Sequence, residues 1–185
     1  MKLFQPFKNA IITQRFGKEN TSTDPEVQQW YKDLKLLGHN GLDFSGLNCN
    51  GKPIFWNCDI EGDVIQVFTN ADTKGAGVYI NTSDSDGDFM HVHWHLQPNI
   101  QCGVGKIQPG QLIGYVDNTG QYTKGSHDHY GLYKYPRDLN NGYGGAMDPI
   151  PYYNPIFILT YLNMTQQISI YKKIIDLLKQ LLDMK

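Results

Sequence analysis

The chain has 185 residues, a formal net charge of −2 and three cysteines. Charged residues make up only 18% beside 19 glycines and 12 tyrosines, a balance that favours a turn-dense β fold over a helical bundle. No Lys/Arg cluster is present, so a nucleic-acid surface is not expected. The longest apolar run, Pro155 to Leu162, is far short of the roughly 20 residues a membrane-spanning helix needs.

In chain order, the first seventeen residues carry no uninterrupted apolar stretch and no small-residue cleavage site, so no signal peptide is read there. Residues 8–17 read as extended and stop at Gly17. Asp24 suits an N-cap and Pro25 a first helical position. Val27, Trp30, Tyr31, Leu34 and Leu37 follow helical spacing, which predicts a short amphipathic helix over about 25–37 with Gly38 at its C′ position. From Gly51 to about Tyr115, KPIFWNC, GDVIQVF, GAGVYINTS, DFMHVHWHL and GQLIGYVDN predict short strands, divided by turn clusters such as SDSDGD at 83–88. Residues 135–155 are Gly/Pro/Asn-rich and read as a long ordered loop or a boundary. Beyond Thr165, Ile168, Tyr171, Ile174, Ile175, Leu178, Leu181 and Leu182 form one stripe of a C-terminal amphipathic helix. Such a helix packs on its own domain, or mediates oligomer or partner contact. The organisation expected is a domain over 1–155 and a helical tail over 156–185. Cys49, Cys58 and Cys102 form no C-x-x-C pair; they read as free thiols, or as one Cys49–Cys58 disulfide closing a short loop.

All six histidines fall in three clusters: His39; His91, His93 and His95; His127 and His129. In a strand, HVHWHL would point His91, His93 and His95 to one face. His39 and Asp43 lie four apart with Gly41 between them, and His127 and His129 share a face if extended. Two histidines and one carboxylate are a hydrolytic zinc set, leaving a net positive centre that acidifies water and polarises a carbonyl. On the residues alone three readings stand: a hydrolytic metal, a structural metal, or scattered structural histidines. A cupin-type site would need a carboxylate soon after its H-x-H strand, and HVHWHLQPNIQC contains none.

The ordered set of motifs resembles the LytM/lysostaphin-type zinc endopeptidases, peptidase family M23, which cut peptide cross-links in bacterial cell walls. Its pieces are Phe16-Gly17, His39-x-x-x-Asp43, His93-Trp94-His95-Leu96, Gly110-Gln111-Leu112-Ile113-Gly114, Thr119-Gly120 and His127-x-His129, spread over roughly residues 8–150. The resemblance implies a mainly β fold, a compact antiparallel β-sandwich-like domain. It implies Zn2+ held by His39, Asp43 and His129, with His95 and His127 as catalytic, non-ligand histidines acting in general base catalysis and oxyanion stabilisation. His93 stands where the family carries an aromatic residue, and His91 is additional. Both are expected beside His95, touching solvent or substrate, or else in an accessory role behind the metal. Tyr122 lies near the place of an oxyanion-supporting tyrosine in some members, in a loop about one residue longer than the pattern. Asp128 should face away from the metal. The insertion at 20–38 either walls the groove or is a surface elaboration. The function implied is hydrolysis of peptidoglycan peptide stems or cross-bridges, by a phage- or prophage-type lytic enzyme, a particle-associated one, or one secreted through a precursor. The alternative is a catalytically inactive binding or assembly module, although all five positions that inactive members lose are filled here.

Overall fold

The computed structural model describes residues 1–18, 22–70, 75–155, 167, 169–176 and 179. Its strands are β1 (Ile11–Gln14), β2 (Leu42–Ser45), β3 (Pro53–Phe55), β4 (Gly62–Phe68), β5 (Ala76–Asp84), β6 (Gly87–Leu96), β7 (Gly105–Ile107), β8 (Leu112–Tyr115) and β9 (Asp128–Lys134). Seven of them form one antiparallel sheet in the order β1-β2-β9-β6-β5-β4-β7, and β3 and β8 pair in a second, small sheet. The mainly β, sandwich-like architecture expected from the sequence is the one observed.

The large sheet is covered on both faces. One face packs on the main core, where Leu3, Phe44, Ile54, Trp56, Phe89, Leu96, Ile113, Tyr130 and Leu132 are buried. The other carries a second cluster of Met90, Val92, Trp94, Tyr133 and Ala146. β6 lies between β5 and β9, so every residue from Phe89 to Leu96 is buried. Odd-numbered Phe89, His91 and His93 therefore enter the core side, and even-numbered Met90, Val92 and Trp94 face the other way.

His91 is fully buried; its Nε2 lies 2.8 Å from the Thr82 hydroxyl and its Nδ1 2.7 Å from the Tyr130 hydroxyl. Burial above all, then the charge of His93, pushes its pKa down to about 3. A histidine held neutral in the fold but titrating near 6.5 when unfolded supports stability fully above pH 6.5 and loses it as pH falls towards 3. Metal-free protein should therefore lose about 2–3 kcal/mol of stability from this group between pH 6.5 and 4.5. Urea unfolding of wild type and His91→Gln across that range checks it: the variant should show a shallower slope, and equal slopes would remove His91 as the cause.

The inserted helix α1 spans Pro25–Asp33, shorter than the 25–37 expected. Asp24 caps it, accepting from the backbone N–H of Glu26 and Val27. It ends early because Lys35, not Gly38, takes the left-handed position, at φ 55°. The N–H of Leu36 then reaches the Tyr31 carbonyl at 2.8 Å and that of Lys35 the Lys32 carbonyl at 3.0 Å, which closes the last turn. Residues 135–149 form an ordered loop leading to a 3-10 turn at Ile150–Tyr152. In the tail, residues 169–176 are helical, and Tyr171, Ile174 and Ile175 of the expected stripe are exposed. Ile168, Leu178, Leu181 and Leu182 lie outside the described residues. The three cysteines are free and buried. Among the described residues no helix is long and apolar enough to cross a membrane.

Candidate metal centre

β2 and β9 are paired so that Asp43 stands opposite His129. His39 reaches the same point from the bridge it forms with Gly17, whose N–H donates to the His39 carbonyl at 2.9 Å. The Phe16-Gly17 motif thus fixes the residue that delivers the first histidine. The three donor atoms form a small triangle: His39 Nε2 to His129 Nδ1 is 3.1 Å, His129 Nδ1 to Asp43 Oδ1 is 3.0 Å, and His39 Nε2 to Asp43 Oδ1 is 3.0 Å. Gly41 is required for the approach, since a Cβ there would lie 2.5 Å from the Tyr130 carbonyl and 2.8 Å from the His129 ring.

Proton counting favours a cation at this triangle. His39 Nδ1 lies 3.0 Å from the Arg15 carbonyl, which accepts its proton and leaves Nε2 with a lone pair. Asp43 is ionised: burial alone would raise its pKa, but the imidazoles of His39, His127 and His129 around it hold it well below the usual range. Burial chiefly, with the charges of His39 and His127, lowers the pKa of His129 against the pull of Asp43, so this ring is neutral near pH 7. Three close contacts then share at most the one proton of His129. Spacings of 3.0–3.1 Å suit donors around one ion at roughly 2.0–2.2 Å, and two imidazoles with one carboxylate suit zinc. The residues fit the metal.

Two further histidines flank the triangle without joining it. His127 Nε2 is 3.6 Å from Asp43 Oδ1, and the His95 and His127 rings lie 4.8 Å apart. Each is anchored by its other nitrogen, His127 Nδ1 to the Gly125 carbonyl at 2.8 Å and His95 Nδ1 to the Thr119 carbonyl at 2.7 Å. Both therefore leave Nε2 for the groove. Burial first, then the charges of His127 and His129, lowers the pKa of His95 to about 3.

His95 does not share a face with His91 and His93, which corrects the reading from alternation. Trp94 pairs with Gly77 and Leu96 with Ala76, leaving His95 as the extra residue of a bulge at φ 66°. The bulge turns His95 to the groove side that Trp94 already faces and returns Leu96 to the core. A non-glycine residue there is strained by about 1–3 kcal/mol. Thr119 holds it in place: its carbonyl takes the His95 ring, its hydroxyl donates to Leu96 O at 2.7 Å, and Ala76 N–H donates to that hydroxyl at 2.9 Å. Sequence reasoning noted Thr119-Gly120 only as part of a pattern.

His93 does not face substrate either. It is fully buried on the core side, with Nδ1 3.0 Å from Asp128 Oδ2. Asp128 does point away from the His39–Asp43–His129 triangle, as expected, and His93 is its partner. Tyr122 lies in the groove wall with its ring edge-on to Trp30 at 5.9 Å. The insertion walls that side: Asp24, Val27, Trp30 and Tyr31 line a groove of about 1560 Å³ shared with the five histidine and aspartate positions. Tyr31 is a groove residue that sequence reasoning read only as one position of an amphipathic helix. Its hydroxyl accepts from Gln14 Nε2 at 2.7 Å, and burial and the charge of Asp43 keep it protonated.

No protein-family model matches the chain, and no curated protein matches it by sequence. Solved structures do match. The catalytic domain of the prophage-encoded M23 protein EnpA from Enterococcus faecalis superposes with a TM-score of 0.56 and 23% identity, over 80% of this chain and 94% of that one. LytU gives 0.53 and 27%, over 81% and 88%. A zinc-containing peptidase from Vibrio cholerae gives 0.54 and 21%, over 80% of this chain and 39% of the longer one.

Proposed function

We propose that this chain, which has the fold of the LytM-type M23 peptidases, is a zinc-dependent endopeptidase that hydrolyses peptide cross-links of bacterial peptidoglycan. The observation that carries the reading is one groove holding His39, Asp43 and His129 as a three-donor set with His95 and His127 beside it. His39, Asp43 and His129 would hold the zinc, which when bound acidifies water and polarises a carbonyl. His95 and His127, each fixed through Nδ1, take the proton of the attacking water at Nε2 and return it to the departing amine. Tyr31 and Tyr122 offer phenol protons in the same groove for the oxygen that gains charge. The working unit is residues 1–155, with 156–185 as a tail for contact with a partner or second copy. A phage or prophage lytic role, acting at the wall after release or from a particle, suits this unit, as the likeness to a prophage-encoded protein supports.

Zinc stoichiometry, and release of new amino termini from a panel of purified cell walls, test the reading. Wild type should carry about one zinc and free new termini from at least one wall type. A zinc-loaded protein that frees none from any wall would leave the inactive binding module in its place.

A further inference from the structure

The groove continues past the metal centre along the same face of the sheet. On β9, His129, Gly131 and Tyr133 share that face, and the Tyr133 ring leans over Gly131, where a Cβ would lie 3.1 Å from it. Phe68, Tyr79 and Trp94 pack ring to ring at 4.7–5.4 Å beside it. Arg137 stands at this end, its guanidinium 4.5 Å over the Tyr133 ring and its Nη2 donating to the Gly144 carbonyl at 2.6 Å. The loop beneath is built to hold it: Asn141 Oδ1 accepts from Tyr143 and Gly145 N–H, and Gly145, at φ 87°, lies against the arginine.

Arg137 is also an exposed cation lining this end of the groove. Lys124 is bound by Asp24 and Glu26 at 2.7 Å each, and Asp43 belongs to the metal set. Arg137 has no carboxylate partner among the described residues. Nor do the hydroxyls of Tyr79 and Tyr133 have a hydrogen-bond partner among them. Burial raises the pKa of Tyr79 and pushes that of Tyr133 up to about 12, so both remain donors. A planar guanidinium with two phenol donors is a carboxylate receptor.

We infer that Arg137, with Tyr79 and Tyr133, forms a carboxylate-recognition subsite, and that the preferred substrate is a wall peptide bearing a free carboxyl group a few residues from the scissile bond. The inference rests on the endopeptidase reading above. Tyr133 is four residues along β9 from His129, roughly 13 Å at strand rise, which an extended peptide covers in about three to four residues. An amidated or all-glycine bridge would leave Arg137 unpaired.

The test uses zinc-loaded protein and two synthetic cross-linked wall peptides identical but for one carboxyl group, free in one and amidated in the other. Wild type should favour the free acid by about tenfold or more in kcat/KM, chiefly through KM, as a charge-assisted bidentate pair provides. Arg137→Gln should erase the preference and Arg137→Lys should restore part of it. Equal rates on the two peptides, or a preference that survives Arg137→Gln, would overturn the subsite and leave the endopeptidase reading intact. If neither peptide is cut, tryptophan-fluorescence titration decides: tighter binding of the acid, abolished by Arg137→Gln, upholds the subsite while hydrolysis fails, and equal affinities overturn it.

Discussion

His127→Ala should keep its zinc and lose about 10²–10⁴-fold in hydrolysis, the range for removing a positioned general acid–base. Its Nε2 lies 3.6 Å from Asp43 Oδ1, outside the 3.0–3.1 Å triangle, and its Nδ1 is committed to the Gly125 carbonyl. The ring is thus held next to the metal set without a place in it. Asp43→Ala should do the reverse and release the metal, because it removes the carboxylate and leaves two neutral imidazoles facing each other. Metal analysis of dialysed protein beside the rate of amino-terminus release separates the two. Loss of zinc from His127→Ala would make His127 a ligand and displace one of the three assigned.

The second large effect is expected behind the sheet. Asp128→Ala should destabilise the fold by about 3–5 kcal/mol, the usual result of removing one partner of a buried pair. Asp128 and His93 are both fully buried, and His93 Nε2 has no partner among the described residues, so the loss of Asp128 leaves the whole imidazole without one among them. Asp128→Asn keeps an acceptor for the His93 Nδ1 proton and should recover much of the loss. Because Asp128 lies between His127 and His129, the alanine variant should also bind zinc more weakly than the asparagine one. Urea unfolding and zinc titration of the two variants measure this, and an alanine variant as stable as wild type would sink the claim.

Spacing alone left three readings open and the resemblance singled out His39, Asp43 and His129, whose donor atoms the fold brings within 3.1 Å of one another; H-x-x-x-D and H-x-H each bring two side chains together through one turn or one strand. The strands from β3 to β6 were legible from apolar runs and turn residues. The direction of the β6 histidines was not. Alternation assumes an unbroken pleat, and the bulge at His95 depends on Thr119, more than twenty residues later. With both faces of β6 covered, hydropathy could not say that His91 and His93 sit in a core, where the Thr82 and Tyr130 hydroxyls take both nitrogens of His91 and the Asp128 carboxylate takes Nδ1 of His93. The end of α1 was misplaced for a similar reason, since a lysine adopts the left-handed position usually given to glycine. Arg137 and Tyr31 carried no motif; their place beside the groove follows from pairing and loop closure.

The bridge between Gly17 and His39 has a consequence for how such a groove changes over time. It clamps the two ends of the segment carrying α1, so that segment hangs from a closed neck while Gly17 and His39 stay in register with the sheet. Length and composition between the clamped residues, Tyr31 apart, can then change, or be exchanged in the laboratory, without moving His39. The wall over the site is replaceable; the site is not. A graft that preserves the neck and Tyr31 would give the proposed hydrolytic centre a different wall.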